Sequence, residues 1–275
     1  MKHFHRTLIL GFGLSLSGIL PSAADLPYLE KSPWEDCFIG IEERAFRFKY
    51  MANGTALLDP IDRRGETIST NNSIEIEFEI LETEADGKVV SKQINPFSLT
   101  SKAEAVKSPS EPILISGTVT GDAAFEILIT PGEKSVSLSG RITENGTLTN
   151  PLSFAISAKF TPYKYQSSSD PDELERFEKK IKREEMELIT LAGKEESIAF
   201  TESLNPSEKF PGGLRSLSFE TAAYGETEFS FAATGKSKIT FEDKGKNYLW
   251  KSFTLQWIPD PAEEISSQAL TISGK

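Results

Sequence analysis

Pro112–Phe160 reads PILISGTVTGDAAFEILITPGEKSVSLSGRITENGTLTNPLSFAISAKF. Ile113, Ile115 and Val119 alternate with small or polar residues up to Gly121-Asp122, and Phe125, Ile127 and Ile129 repeat the pattern up to Pro131-Gly132. Val136, Leu138 and Ile142 form a third run, Asn145-Gly146 lies in the next connection, and Leu152, Phe154, Ile156 and Phe160 form the fourth. Successive side chains of a strand point to opposite sides of the backbone, so apolar residues at every second position define a strand with one dry face and one wet face. The Gly-Asp, Pro-Gly and Asn-Gly pairs supply the positive or fixed φ that tight reversals need. The block predicts four antiparallel strands.

The same period runs outward in both directions. Phe46, Phe48 and Tyr50 share a face opposite Arg47 and Lys49, and Ile76, Phe78 and Ile80 share one opposite Glu75, Glu77 and Glu79. Three carboxylates on one face repel unless cations lie across from them, so either the strand carrying Arg47 and Lys49 is expected beside this ladder or the ladder is a solvated polar face. Further strands are expected at 197–201, 214–221, 228–233, 238–242, 248–257 and 269–273. The fold class is therefore all-β: an antiparallel β-sandwich, either one large sandwich or two smaller ones.

One segment breaks the period. Asp170 can cap a helix, Pro171 suits its first turn, and Glu173 completes a capping-box pattern. Leu174, Phe177, Ile181 and Leu188 trace an apolar stripe, while Glu175 and Lys179, like Glu178 and Lys182, are four residues apart. A long amphipathic helix is expected near residues 171–191, either laid across a sheet or offering its stripe to a partner chain. It separates a β-sandwich region at 25–166 from a β-strand region at 195–275, with 167–194 holding the helix and its connections. The last region either completes the same sandwich or forms a second small domain.

The first 24 residues have the pattern of a secretory leader. Lys2 and Arg6 charge the start, Thr7 to Leu20 are apolar but interrupted by glycine and serine, and Pro21-Ser22-Ala23-Ala24 offers small residues for cleavage. The apolar stretch is shorter than the roughly 20 residues a membrane span needs, and no later segment reaches that length. An exported protein, periplasmic or extracellular, is expected. Losing Lys2 and Arg6 with the leader takes the net charge from −11 to −13. Such a chain repels nucleic acid, which is bound through clustered Lys and Arg that displace counterions.

Composition excludes more. The only histidines, His3 and His5, lie in the leader, so a cleaved chain has no imidazole for a catalytic triad, a zinc site or general-base work. Cys37 is the single cysteine, which rules out an intrachain disulfide and a thiolate metal cage. It reads as a small buried residue, because neighbouring Glu35 and Asp36 disfavour the thiolate. No glycine-rich phosphate loop and no alternating Asp/Asn calcium loop is present, so neither cofactor nor metal is implied.

Two surfaces remain as candidates. In Tyr248–Trp257, alternation places Leu249, Phe253, Leu255 and Trp257 on one side and Tyr248, Trp250, Ser252, Thr254 and Gln256 on the other. Flat rings followed by hydroxyl and amide groups can stack on a sugar and bond its hydroxyls, or can simply pack beneath the helix. The helix stripe of Leu174, Phe177, Ile181 and Leu188 is the second surface. Carboxylates such as Glu35, Asp36, Asp59, Asp62, Glu242 and Asp243 are abundant enough for acid-pair chemistry, but spacing alone singles out no pair. The sequence thus points to a non-catalytic binding or structural module with carbohydrate or an envelope or extracellular protein as its ligand. A carboxylate-dependent glycoside hydrolase or polysaccharide lyase, and an architectural envelope component, are the alternatives.

Overall fold

The computed structural model of the protein describes residues 26–68, 73–163, 170–204, 209–225, 227–242 and 247–275. The leader at 1–24 and the Ser167-Ser168-Ser169 run fall outside them. The first strands are β1 (Cys37–Glu42), β2 (Phe46–Met51), β3 (Ala56–Pro60), β4 (Ile74–Thr83) and β5 (Val89–Lys92), followed by the short β6 (Thr100–Ser101) and β7 (Val106–Lys107). The alternating block at 112–160 gives β8 (Ile113–Thr118), β9 (Ala124–Gly132), β10 (Ser135–Glu144) and β11 (Leu152–Phe160). Helix α1 (Pro171–Ile181) precedes β12 (Glu185–Thr190), β13 (Glu195–Ala199), β14 (Ser203–Leu204) and β15 (Leu214–Thr221). Last come β16 (Thr227–Ala233), β17 (Lys238–Phe241), β18 (Asn247–Tyr248), β19 (Phe253–Ile258) and β20 (Leu270–Gly274).

The pairings trace two layers of one curled sheet. One layer runs β7-β1-β2-β3-β4-β11-β19-β17, with β5 beside the far end of β4. The other runs β13-β12-β15-β16-β20-β10-β9-β8-β6. They meet where Leu214 of β15 pairs with Ile239 of β17. All of these pairings are antiparallel except β1 with β7. The fold is an all-β sandwich, and strands from before and after the helix share its hydrogen bonding and its core.

β8, β9 and β10 form the expected meander, but β11 leaves it to pair with β4 and β19 in the facing layer. The two layers come close there. Gly140 of β10 lies against the ring of Phe154 in β11, and a methyl group at position 140 would collide with that ring. Aromatic rings fill the space between the layers. Phe160 of β11 stacks on Phe253 at 4.5 Å and meets Phe219 and Phe231 of the opposite layer edge-on at 5.6 and 5.1 Å. Full burial of each such ring contributes about 1.5–3 kcal/mol.

Two expectations are corrected. The strand with Arg47 and Lys49 is not beside the glutamate ladder, because β3 lies between β2 and β4; these cations pair instead with Glu42 (2.9 Å) and Asp59 (2.6 Å). The ladder's cation is Lys159 of β11, 2.6 Å from Glu77, while Ser157 donates to Glu79. The helix also ends ten residues early, at Ile181 rather than 191. Arg183 N–H bonds Lys180 O, and the chain then extends into β12, whose backbone pairs on one edge with β13 and on the other with β15. Leu188 is therefore a buried strand residue of β12, not part of the helical stripe. The Asp170 cap and the Glu175–Lys179 and Glu178–Lys182 pairs are formed as the spacing predicts.

Gly140→Ala is expected to cost about 1–3 kcal/mol through overpacking, read as a lower urea midpoint at unchanged slope. Buried Glu82 ties β4 to Lys92 of β5 (2.5 Å) and accepts from Asn150 (2.8 Å). Lys92 first, then Asn150, hold its carboxyl below the usual range. Its contribution is complete above the ordinary carboxylate pKa and fades as pH falls through the lowered value. Glu82→Gln should flatten the loss of stability on acidification below about pH 4.5, measured by urea titrations at stepped pH.

Candidate functional site

Helix α1 touches the sandwich at few points. Ile181 is buried, but Leu174 is 40% exposed and Phe177 half-buried. Phe177 inserts between two rings of the first layer's connections, meeting Tyr163 at 5.3 Å and Trp250 at 5.5 Å, both edge-on. Held there, the helix overhangs the outward face of β12, β15 and β16 and leaves a cleft of about 960 Å³. Arg176, Lys179, Lys180 and Arg183 line its upper side. Glu185, Glu187, Glu220 and Glu228 line the strands below.

Glu184 sits in the wall of this cleft, 8% exposed, at the joint between α1 and β12. Its Oε1 accepts from the Tyr163 hydroxyl and from the Ala222 N–H at 3.1 Å. Its Oε2 is buried and has no hydrogen-bond partner among the described residues. Burial first, and then Glu184 itself, push the Tyr163 hydroxyl far above its ordinary pKa, so it stays protonated and serves as a donor. Leaving one buried acceptor unsatisfied costs about 1–3 kcal/mol. The result is a carboxylate fixed through one oxygen, with the other shut away from solvent.

The residues singled out by alternation lie to one side of the cleft. Tyr248 pairs through its backbone with Ser203, and its side chain lies outside the described residues. Trp250 lies in a turn that interrupts the expected strand; it is half-buried, edge-on to Phe177, with the Lys251 ammonium 5.3 Å from its ring centre. Ser252 and Gln256 are half-exposed, and Thr254 is buried at 8%. Trp250 brings the two candidate surfaces together, since its ring receives Phe177 of the helical stripe.

Several acidic candidates have local partners. Asp59 is held by Lys49 and by Ser73 (2.6 Å), Asp62 accepts from the N–H groups of Arg64 and Glu66, and Asp36 occupies a turn at φ 61°. Asp243 lies outside the described residues. Cys37 is fully buried, and desolvation pushes its thiol up to about 11, which removes it as a nucleophile. Among the described residues no three His, Cys, Asp or Glu side chains group to hold a metal ion. No described helix is long and apolar enough to cross a membrane.

No protein-family model and no curated protein matches the sequence. Solved structures do resemble the fold. The α-N-acetylgalactosaminidase NagBb from Bifidobacterium bifidum, in a complex with Gal-NHAc-DNJ, superposes over 86% of this chain with a TM-score of 0.53 at 6% identity. This chain spans only 35% of that one. A galactose mutarotase-like protein from Lactobacillus casei aligns with 86% of this chain and 98% of its own, at 8% identity and a TM-score of 0.38. The first likeness is one of fold.

Glu184 and Tyr163 are not marked by the alternation that picks out the other candidates, although a signal exists. Once Glu185–Thr190 is recognised as a strand, residues 184, 186 and 188 share an inward parity, and an acid there stands out beside Met186 and Leu188. Tyr163→Phe removes a donor to Glu184 and is expected to lower stability by about 1–3 kcal/mol. Limited proteolysis should then cut nearer α1 at lower protease concentration.

Proposed function

We propose that this protein is an exported carbohydrate-binding sandwich protein that holds its ligand in the cleft beneath α1. The observation that carries the reading is the floor of the cleft, where exposed Glu187 and Glu220 have no cation partner among the described residues. Sugars are dense in hydroxyl donors, and a charged acceptor strengthens each such bond. The fold likeness to a structure named as an α-N-acetylgalactosaminidase supports the same ligand class. Export rests on the leader pattern at 1–24, and mass spectrometry of secreted material should find Asp25 at the amino terminus.

A glycan array probed with the cleaved protein tests the binding. Glu187→Ala is expected to weaken the best glycan about 10- to 100-fold, the equivalent of one hydrogen bond to a charged group. Trp250→Ala serves as the second arm. Loss with Trp250→Ala and none with Glu187→Ala would move the ligand to the Trp250, Ser252 and Gln256 strip and overturn the cleft. No binding to any glycan would overturn the carbohydrate reading itself.

A further inference from the structure

We infer that the sugar taken by the α1 cleft is acidic, a uronate residue whose carboxylate meets the helix while its hydroxyls meet Glu187 and Glu220 on the strands. This rests on the carbohydrate reading and adds the chemical class. The charges of the cleft are sorted: cations come from the helix and the turn that ends it, anions from β12 and the strands beside it. Arg176, Lys180 and Arg183 are spaced by four and then three residues, which puts them on one side of the helix and its last turn. The other cations of the helix and its cap are paired, Lys179 with Glu175 at 2.5 Å and Lys182 with Glu178 at 3.8 Å. Lys180 and Arg183 make no ion pair among the described residues, and the Nε of Arg176 bonds only the Asp172 carbonyl, at 3.1 Å.

Below them, Glu187 and Glu220 likewise have no cation partner among the described residues, so the two charge layers face each other without closing. A guanidinium takes a carboxylate through two parallel bonds, a geometry a uronate carboxylate matches. The acids beneath decide against denser anions. A sulfated glycan or a nucleic acid would press further negative charge onto Glu184, Glu187 and Glu220, whereas one carboxylate per ring leaves hydroxyl donors to face them. The cleft volume of about 960 Å³ lies at the upper end of the range of roughly 300–1,000 Å³ typical of small-ligand sites, enough for a short oligomer.

The test is calorimetric titration with trimers of galacturonate, glucuronate and mannuronate, each beside its methyl ester, which keeps the hydroxyls and removes the charge. At least one free acid is expected to bind ten times or more tightly than its ester, with affinity falling as NaCl is raised. A Lys180→Gln, Arg183→Gln variant, altered only at exposed positions, should bring the affinity of the free acid down to that of its ester; a Glu187→Gln, Glu220→Gln variant should weaken both. Equal affinity for acid and ester, or binding of neutral glycans alone, would overturn the acidic class and leave the carbohydrate reading standing. An acid preference that survives Lys180→Gln, Arg183→Gln would overturn the assigned role of the helix, and failure of every saccharide would remove both readings.

Discussion

The stacked pair Phe160 and Phe253 anchors both the core and the cleft beside it. The two residues are directly opposite in the β11–β19 ladder, 4.5 Å apart and within 7° of parallel, and Phe160 also meets Phe219 and Phe231 from the facing layer. With a single buried cysteine and no disulfide, the layers are held by such packing together with the pairing of β15 and β17. The pair also sets the site. Tyr163 comes three residues after Phe160 and Trp250 precedes Phe253 by three, so the antiparallel register brings both rings out at the same end of the ladder. Phe177 is received between them, and the position of α1 is thereby tied to the centre of the core.

The two outward faces handle charge differently. On the first layer nearly every acid has a named partner: Asp59 has Lys49, Glu77 has Lys159, Glu82 has Lys92 and Glu42 has Arg47. Burial works against the charge of Lys159, but Glu77, with Glu75 and Glu79 behind it, more than offsets this and raises its pKa. Of these only Lys159–Glu77 is exposed, and such a pair contributes about 0–1 kcal/mol; the main effect of all four is to select which strands lie side by side. On the second layer the acids of β12 and β15 look across open space at cations they do not reach. That contrast, within one protein, marks the α1 cleft as a place where charge complementarity is directed at something other than the fold.

Much of the sandwich is legible in the sequence because burial on one face of a strand imposes a period of two, and Phe46 to Tyr50, Ile76 to Ile80 and Ile113 to Phe160 obey it closely. Partner choice is less legible. Arg47 and Lys49 are chemically suitable neighbours for the glutamate ladder, but the short reversal at Ala52-Asn53-Gly54 inserts β3 between them, and Lys159, far away in sequence, takes the role. The end of the helix is hidden for another reason. Glu184 to Leu188 is built of residues with good helix propensity, and only the two strand edges that clamp β12 override it. With β12 misread, the parity that exposes Glu184 as an inward acid is lost, and the site disappears with it.

Glu184 differs from the other buried polar atoms left without partners. The hydroxyls of Tyr50 and Tyr224 are also unsatisfied among the described residues, and burial pushes both far above the ordinary phenol pKa, so they stay neutral. A neutral hydroxyl inside an aromatic core forfeits one hydrogen bond and still gains from the burial of its ring. A carboxylate gains little from burial and is correspondingly costly to leave half-bonded. Glutamine would keep an oxygen acceptor for Tyr163 and Ala222 without the charge, and leucine would remove the problem altogether, so stability alone gives no reason for an acid at this joint. What the acid does at this joint is accept from the Tyr163 hydroxyl and from the Ala222 N–H through one oxygen, which ties the connection after β11 and the end of β15 to the root of α1 and so sets the wall of the cleft.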